Sequence, residues 1–410
     1  MTGIRCDANS IIASGHMMRC LTIAKELVRL GESVTFFVAD NESKSLYDAY
    51  VDDLGASIDV VVLGTNWQDM EVELEVLIPE LRKRNIDRLL VDSYKVTVPY
   101  FERLKEICPV VYLDDLNEDT YPVDMLINYS GYYKSLGYEE AYKNTCGHQG
   151  QPSKLLLGLQ YAPLREQFYH YSDAPEESLE RHGAENQGAS DGASSTKDQS
   201  FETAISVLLT SGGADTQGML LATLSAAEKA GLIKSDDSSL EKSGTETENA
   251  ISHACWHVVV GSLVKDAAVI EKFAKSHAGI TIHRAVTDMA GLMRQCDIAV
   301  CAAGTMLTEC AAIGLPAIFY QVADNQKYNV DYWSSTGGMK FAGDVETDKA
   351  IVIKSICAEL SELSADMAKL EDMRSRLAGI TDGRGAVRIA KALLDFCPTA
   401  QIYKNRGETI

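Results

Sequence analysis

The stretch Ile4-Arg5-Cys6-Asp7-Ala8-Asn9, followed by Ser14-Gly15-His16-Met17-Met18-Arg19-Cys20, decides the fold. It passes from a short β-type run into residues 17–30 (MMRCLTIAKELVRL), where apolar side chains recur at helical spacing. Gly31 stops that pattern ahead of Val34-Thr35-Phe36-Phe37-Val38, a β-rich run. Strand, helix and strand in this order form a βαβ unit, which predicts a parallel sheet. Gly15 at the turn lets the backbone approach a ligand closely. His16 then sits beside the unsatisfied N–H groups of a helix start, at the carboxyl end of a strand where open α/β sheets bind ligands. The positive end of the helix dipole disfavours a cation there, so the ring is a candidate proton acceptor. The plain alternative is a capping or core histidine.

The alternation continues outward from this unit. Residues 59–63 form a short apolar run, 69–84 a charged helical pattern, and 88–92 a strand leading into Asp92-Ser93-Tyr94. A helix over 98–107, a strand over 110–113 ending in Asp114-Asp115, and strands over 125–128 and 155–158 follow. These elements predict a first doubly wound, Rossmann-like α/β domain over residues 1–165, carrying His16. Residues 172–200 hold almost no large apolar side chains and are expected to be a flexible polar linker. From 204 the alternation resumes, with strands expected over 205–209, 257–260, 280–282, 298–301 and 316–320, a helix over 216–231, and a mostly helical stretch over 347–396. This predicts a second Rossmann-like domain over 201–395, interrupted by a polar insertion at 234–250, and a tail over 396–410.

Bulk properties narrow the function classes. A chain of 410 residues exceeds one ordinary core and suggests about two domains. A formal charge of −21 disfavours nucleic acid or an anionic membrane as the main partner. No apolar run approaches the roughly 20 residues of a membrane span, and no secretory signal is visible, so no integral membrane association is expected. The ten cysteines include no C-x-x-C pair and fall mostly in apolar segments, which fits reduced thiols in a cytoplasmic protein. Asp114-Asp115 reads as a turn cap, and no His/Asp/Glu spacing closes a coordination shell, so no metal is expected.

Two loops of the second half share one design. Ser211-Gly212-Gly213 and Ala303-Gly304-Thr305 each lie between a strand and a helix, where small residues let backbone N–H groups reach an anion. Together they point to a phosphate or diphosphate site. Neither matches the dinucleotide fingerprint or the P-loop, so no cofactor is expected. Glu309 lies one helical turn beyond Thr305, where a carboxylate can accept from the hydroxyls of a ribose; a solvated helix glutamate is the alternative. Asn325-Gln326 is a polar pair beyond another strand and by itself an ordinary loop.

As a set, Arg5-x-Asp7, Gly15-His16-x-x-Arg19, Asp92-x-Tyr94, Gly212-Gly213-x-Asp215, Thr305-x-x-x-Glu309 and Asn325-Gln326 resemble the nucleotide-sugar hydrolases of pseudaminic acid synthesis, the PseG family. The resemblance covers nearly the whole chain outside the two polar tracts. It implies a GT-B-like fold of two Rossmann-like domains with a cleft between them, and cleavage of UDP-2,4-diacetamido-2,4,6-trideoxy-β-L-altropyranose to UDP and free sugar. It implies His16 as general base, with Arg5, Asp7, Gly15, Arg19, Tyr94, Asn325 and Gln326 on the substrate. Gly212, Gly213, Gly304 and Thr305 would hold the diphosphate and Glu309 the ribose. The expected partners are a UDP-sugar and, beyond it, other enzymes of the pathway. The second half alone also fits a GT-B glycosyltransferase using a UDP-sugar donor, and a non-catalytic nucleotide-sugar-binding protein is the reading from a different class.

Overall fold

The structure is a computed structural model and describes residues 1–9, 12, 15–51, 58–169, 205–233 and 254–396. The tracts 172–200 and 234–250, and the tail beyond Phe396, lie outside the described residues. The chain divides into two compact units.

The first unit is built on seven strands: β1 (Thr2–Cys6), β2 (Val34–Val38), β3 (Asp59–Val62), β4 (Arg88–Asp92), β5 (Val110–Leu113), β6 (Met125–Asn128) and β7 (Lys154–Leu157). Their order is β3-β2-β1-β4-β5-β6-β7, with every pairing parallel. Strands β1, β2 and β4 are buried along their whole length, which explains the apolar runs of β2 and β4, while β1 carries the buried Thr2 and Arg5 among its five residues. On one face Ile4, Phe36 and Leu90 pack with Met17, Leu21 and Ala24 of the helix Gly15–Arg29. On the other, Phe37, Leu89 and Val91 pack with Leu74 and Leu77 of the helix Met70–Lys83 and with Phe101. The strand order reverses between β1 and β4, whose ends pair Cys6 with Asp92. That reversal is where a doubly wound sheet opens a crevice.

Two late segments belong to this unit, although the sequence pattern places them within 201–395. The helix Gly385–Asp395 sets Ala386, Ile389, Ala390 and Leu393 in the same core as Met17 and Leu21. Its stripe at i, i+3, i+4 and i+7 is an ordinary amphipathic pattern that gives no address for the sheet it covers. Gly385 permits the contact, since a Cβ there would lie 2.2 Å from the Ala162 carbonyl oxygen. Residues 325–335 are the second segment. In the helix Lys327–Ser335, Tyr328 stacks on Tyr132 at 5.6 Å, and the Tyr332 ring fills the space where Gly131 lacks a side chain.

The second unit has six parallel strands: β8 (Ser206–Thr210), β9 (Cys255–Val259), β10 (Ile280–His283), β11 (Ile298–Ala302), β12 (Ala317–Gln321) and β13 (Met339–Asp344). Their order, β10-β9-β8-β11-β12-β13, reverses between β8 and β11. Its core joins Val207, Leu209, Val300 and Ile318 to Leu220, Leu224, Ile356 and Leu360 of the covering helices. Strand β13 has no counterpart in the sequence reading. Its run, MKFAGD, holds Lys340 and Gly343, and its register shifts opposite Phe319 and Tyr320, which erases a clean period of two.

Among the described residues no helix is long and apolar enough to cross a membrane. Nine cysteines are described, all free, and only Cys146 and Cys255 of these are exposed.

Candidate functional site

The end of β1 and the first turn of the helix Gly15–Arg29 bring His16 to the point where the first sheet reverses. Asp92, the last residue of β4, meets it there, with Oδ1 2.6 Å from His16 Nδ1. Arg19, one turn further along the helix, donates from Nε to Asp92 Oδ2 at 2.6 Å and from Nη2 to Oδ1 at 2.5 Å. Asp92 is 1% exposed. Burial alone would raise its pKa, but the Arg19 guanidinium and then His16 hold the carboxyl well below the usual carboxylate range.

This arrangement selects the tautomer of His16. An ionised carboxylate only accepts, so Nδ1 carries the hydrogen and donates to Asp92. Arg19 Nη2, 2.9 Å from the same nitrogen, can only donate and makes no hydrogen bond to it. In the neutral ring Nε2 is then the bare nitrogen, with Asp92 fixing the plane of the ring.

His16 and Asp92 line a pocket of about 360 Å³ whose other walls are Asp7, Ile12, Trp67, Gln68, Ser93, Tyr94 and Lys95. Tyr94 packs edge-on against the His16 ring, centroids 4.8 Å apart at 82°. Its hydroxyl donates to Asp115 Oδ2 at 3.0 Å. Desolvation and then the Asp115 carboxylate push the phenol's pKa up, so Tyr94 stays a neutral donor. Asp115 Oδ2 also takes the Tyr129 hydroxyl at 3.4 Å, and Tyr129 in turn accepts from Arg19. Two arms therefore run from Asp115 to His16, one through the Tyr94 ring packed on the imidazole and one through Tyr129, Arg19 and Asp92.

The residues of the first unit expected from sequence fall into three groups. Asp7, Gly15, His16, Arg19 and Tyr94 gather at this end of the sheet, with Asp7, His16 and Tyr94 on the pocket wall. A Cβ added to Gly15 would meet no described atom within 4 Å, so this backbone is open to a ligand. Arg5 does not reach the pocket. It is fully buried, donating from Nε to Glu73 Oε1 at 2.6 Å, from Nη1 to Asp7 Oδ2 at 2.6 Å, and from Nη2 to Glu73 Oε2. Asp7 Oδ1 is occupied by the Ala39 N–H at 2.7 Å. Arg5 thus stands behind the wall and holds Asp7 in it. Asn325 and Gln326 lie in the 3₁₀ turn Asp324–Gln326 and do not line this pocket.

In the second unit the two glycine loops follow the adjacent strands β8 and β11. A Cβ added to Gly212, Gly213 or Gly304 would likewise meet no described atom within 4 Å. Gly212 has φ +79°, a conformation that favours glycine. The first loop differs from expectation in one respect. Its helix begins at Met219, beyond 216, and Asp215 already caps it, accepting from the N–H groups of Met219 at 2.7 Å and Leu220 at 3.1 Å. Gly212 and Gly213 are therefore set apart from the helix start, whose donors go to Asp215; the Gly213 carbonyl accepts from the Leu263 N–H at 3.1 Å, and the Gly212 N–H donates to Thr210 Oγ1 at 3.4 Å. The second loop keeps the expected place between strand and helix, but the N–H groups of Ala303 and Gly304 already donate to the carbonyls of Tyr320 at 2.8 Å and Ala302 at 2.7 Å; Thr305 precedes the helix Met306–Ile313, its hydroxyl makes no capping bond, and Glu309 is half-buried on the first turn.

Asp114 is a turn cap, accepting from the N–H groups of Leu116 and Asn117, each at 3.1 Å, and from Tyr138 at 3.0 Å. Burial outweighs these bonds and pushes its pKa up to about 6. A raised acid pKa means that the folded state holds the proton more tightly than the unfolded chain. Its stabilising effect is full below about pH 4 and is lost as pH rises through about 6, amounting to up to about 3 kcal/mol. Urea unfolding of Asp114→Asn between these pH values is expected to be less pH-dependent than that of the unsubstituted protein; equal slopes would remove Asp114 as the cause.

Trp67, Gln68 and Lys95 are pocket residues that no sequence motif marks. Asp92 stands in the family motif without a role, because 76 positions separate it from His16 and only the pairing of β1 with β4 joins them.

No family model matches the chain. In sequence it is similar to the spore coat polysaccharide biosynthesis protein SpsG of Bacillus subtilis, 20% identical over 190 residues, which are 46% of this chain and 50% of that protein. The match therefore spans half the length of this relative. In structure it is similar to MurG of Acinetobacter baumannii, with TM-score 0.58 and 13% identity over 96% of this chain and 99% of that one. It is also similar to the UDP-GlcNAc 2-epimerase of Neisseria meningitidis bound to UDP-GlcNAc, with TM-score 0.57 and 11% identity over 96% and 100% of the two chains. The calicheamicin glycosyltransferase CalG4 gives TM-score 0.52 and 14% identity over 97% and 99%. At such identities the likeness shows the fold, the GT-B architecture of two Rossmann-like units.

Proposed function

We propose that the protein is a nucleotide-sugar hydrolase that releases UDP and a free sugar, with His16 as general base. The observation that carries this reading is the buried Asp92–His16 pair opening on a sugar-sized pocket. Water attacks the anomeric carbon and gives a proton to His16 Nε2. The bond from that carbon to the diphosphate oxygen breaks, its electron pair leaves with UDP, and the configuration inverts. Base help of this kind is worth about 10²–10⁴ in rate. UDP-2,4-diacetamido-2,4,6-trideoxy-β-L-altropyranose is the proposed substrate, supported by the family resemblance of the motifs around His16, Tyr94 and Thr305. The reading assigns UDP to the second unit, with Gly212, Gly213, Gly304 and Thr305 at the diphosphate and Glu309 at the ribose. Asn325 and Gln326 are assigned to the substrate as well. Free cysteines and a net charge of −21 suit a cytoplasmic enzyme with a small-molecule partner.

The glycine-loop assignment makes its own prediction. A Cβ on Gly261 would lie 2.3 Å from the Gly213 carbonyl oxygen and 2.7 Å from that of Gly212. Gly261→Ala is expected to push the loop aside and weaken UDP binding by about tenfold or more in calorimetry. Unchanged affinity would move the diphosphate elsewhere.

A glycosyltransferase reading is favoured by the solved structures similar in fold, among them enzymes named for sugar transfer. The same base would then deprotonate an acceptor hydroxyl. Incubation of enzyme and UDP-sugar alone in ¹⁸O-water separates the readings. Label in the anomeric hydroxyl supports hydrolysis at carbon, and label in UDP indicates attack at phosphorus. No turnover until an alcohol is added indicates transfer, and UDP binding without turnover under any of these conditions indicates a binding protein.

A further inference from the structure

We infer that Trp67 is the platform on which the sugar ring lies, its indole N–H donating to an acyl carbonyl carried by that ring; this rests on the sugar-nucleotide reading above. Trp67 sits in the turn between β3 and the helix Met70–Lys83, half-buried, and shares the pocket wall with His16. Among the described residues its indole N–H has no hydrogen-bond partner. An aromatic face with an unused donor at its edge suits a ligand that is apolar on one face and carries a carbonyl at its rim, and an N-acylated pyranose has both.

The turn is held rigidly enough to serve. Thr65 donates its N–H to the Ala39 carbonyl at 3.0 Å and its hydroxyl to Glu73 Oε2 at 3.1 Å. Asn66 Oδ1 takes the Gln68 N–H at 3.1 Å, and its carbonyl takes the Asp69 N–H at 2.9 Å. Asp69 then caps the helix at the Val72 N–H. Glu73 is the same carboxylate that pairs with Arg5, so one buried cluster anchors Asp7 and the Trp67 turn together. Ile12 and Tyr94 extend the apolar share of the wall.

The chain offers a clean reporter. It has three tryptophans, and Trp256 and Trp333 are each 1% exposed, so acrylamide quenching reads Trp67. In His16→Asn, saturation with the proposed UDP-linked diacetamido sugar is expected to cut quenching of Trp67 at least about threefold, whereas UDP alone leaves it unchanged. Trp67→Ala is expected to raise KM by about 10–100-fold with kcat within about threefold; Trp67→Phe, which keeps a ring and loses the donor, raises KM by about 3–10-fold. Equal quenching with UDP and the UDP-sugar, or an unchanged KM in Trp67→Phe and Trp67→Ala, overturns the proposal. Full-speed turnover by His16→Asn instead overturns the base assignment, and leaves the quenching result to decide on Trp67 by itself.

Discussion

His16→Asn is expected to lower kcat by about 10²–10⁴-fold, the usual contribution of a general base, while UDP affinity stays within about threefold. Asparagine occupies similar space and can still donate to Asp92, so the helix start and the Arg19–Asp92 pair survive. What it lacks is the ring nitrogen that the proposed general base would turn to water. Asp92→Asn tests the same point from the other side. It leaves a neighbour that no longer has to accept from Nδ1, so the other tautomer becomes available and kcat falls without loss of UDP binding. A His16→Asn protein that turns over at the original rate, or that loses UDP together with activity, would rule out a role confined to proton transfer.

The largest effect on stability is expected at Arg5. Its guanidinium is fully buried against Glu73 and Asp7, which are 0% and 3% exposed. Arg5→Ala leaves two carboxylates facing each other without a cation, at a cost of about 3–5 kcal/mol. For a unit of this size that corresponds to a fall in melting temperature of roughly 6–20 °C. Arg5→Met combined with Glu73→Leu is expected to recover part of the loss, because it removes a buried charge along with its partner. Calorimetric melting decides the matter. If Arg5→Ala instead melts normally and only raises KM, Arg5 touches substrate and the buried cluster is not the scaffold described.

Much of this fold is legible in the amino-acid order because parallel strands buried on both faces are short unbroken apolar runs. Val34–Val38, Arg88–Asp92 and Met125–Asn128 coincide with observed strands for that reason. His16 is legible too, since a glycine–histidine pair at a strand-to-helix turn has a mechanical meaning that needs no partner. What the order of residues hides is pairing at a distance. Asp92 reaches His16 only across the β1–β4 ladder, and Glu73 reaches Arg5 from a helix on the opposite face. Arg5 next to Asp7 looks like a substrate clamp until Glu73 is in view. Asp215 likewise stands in the sequence only as the end of the Gly212-Gly213-x-Asp215 motif, yet its carboxylate closes the helix start that the two glycines were expected to leave open. Trp67 carries no periodic signal, because it stands alone in a polar turn.

The docking of the helix Gly385–Asp395 onto Met17 and Leu21 has a consequence for biosynthesis. The ribosome releases the first sheet's seven strands long before it reaches codon 385, so the nascent chain carries a bare greasy flank through most of translation. Chaperone engagement at that stage is the natural outcome, and a recombinant fragment halted at residue 169 would keep the flank uncovered and clump with its neighbours.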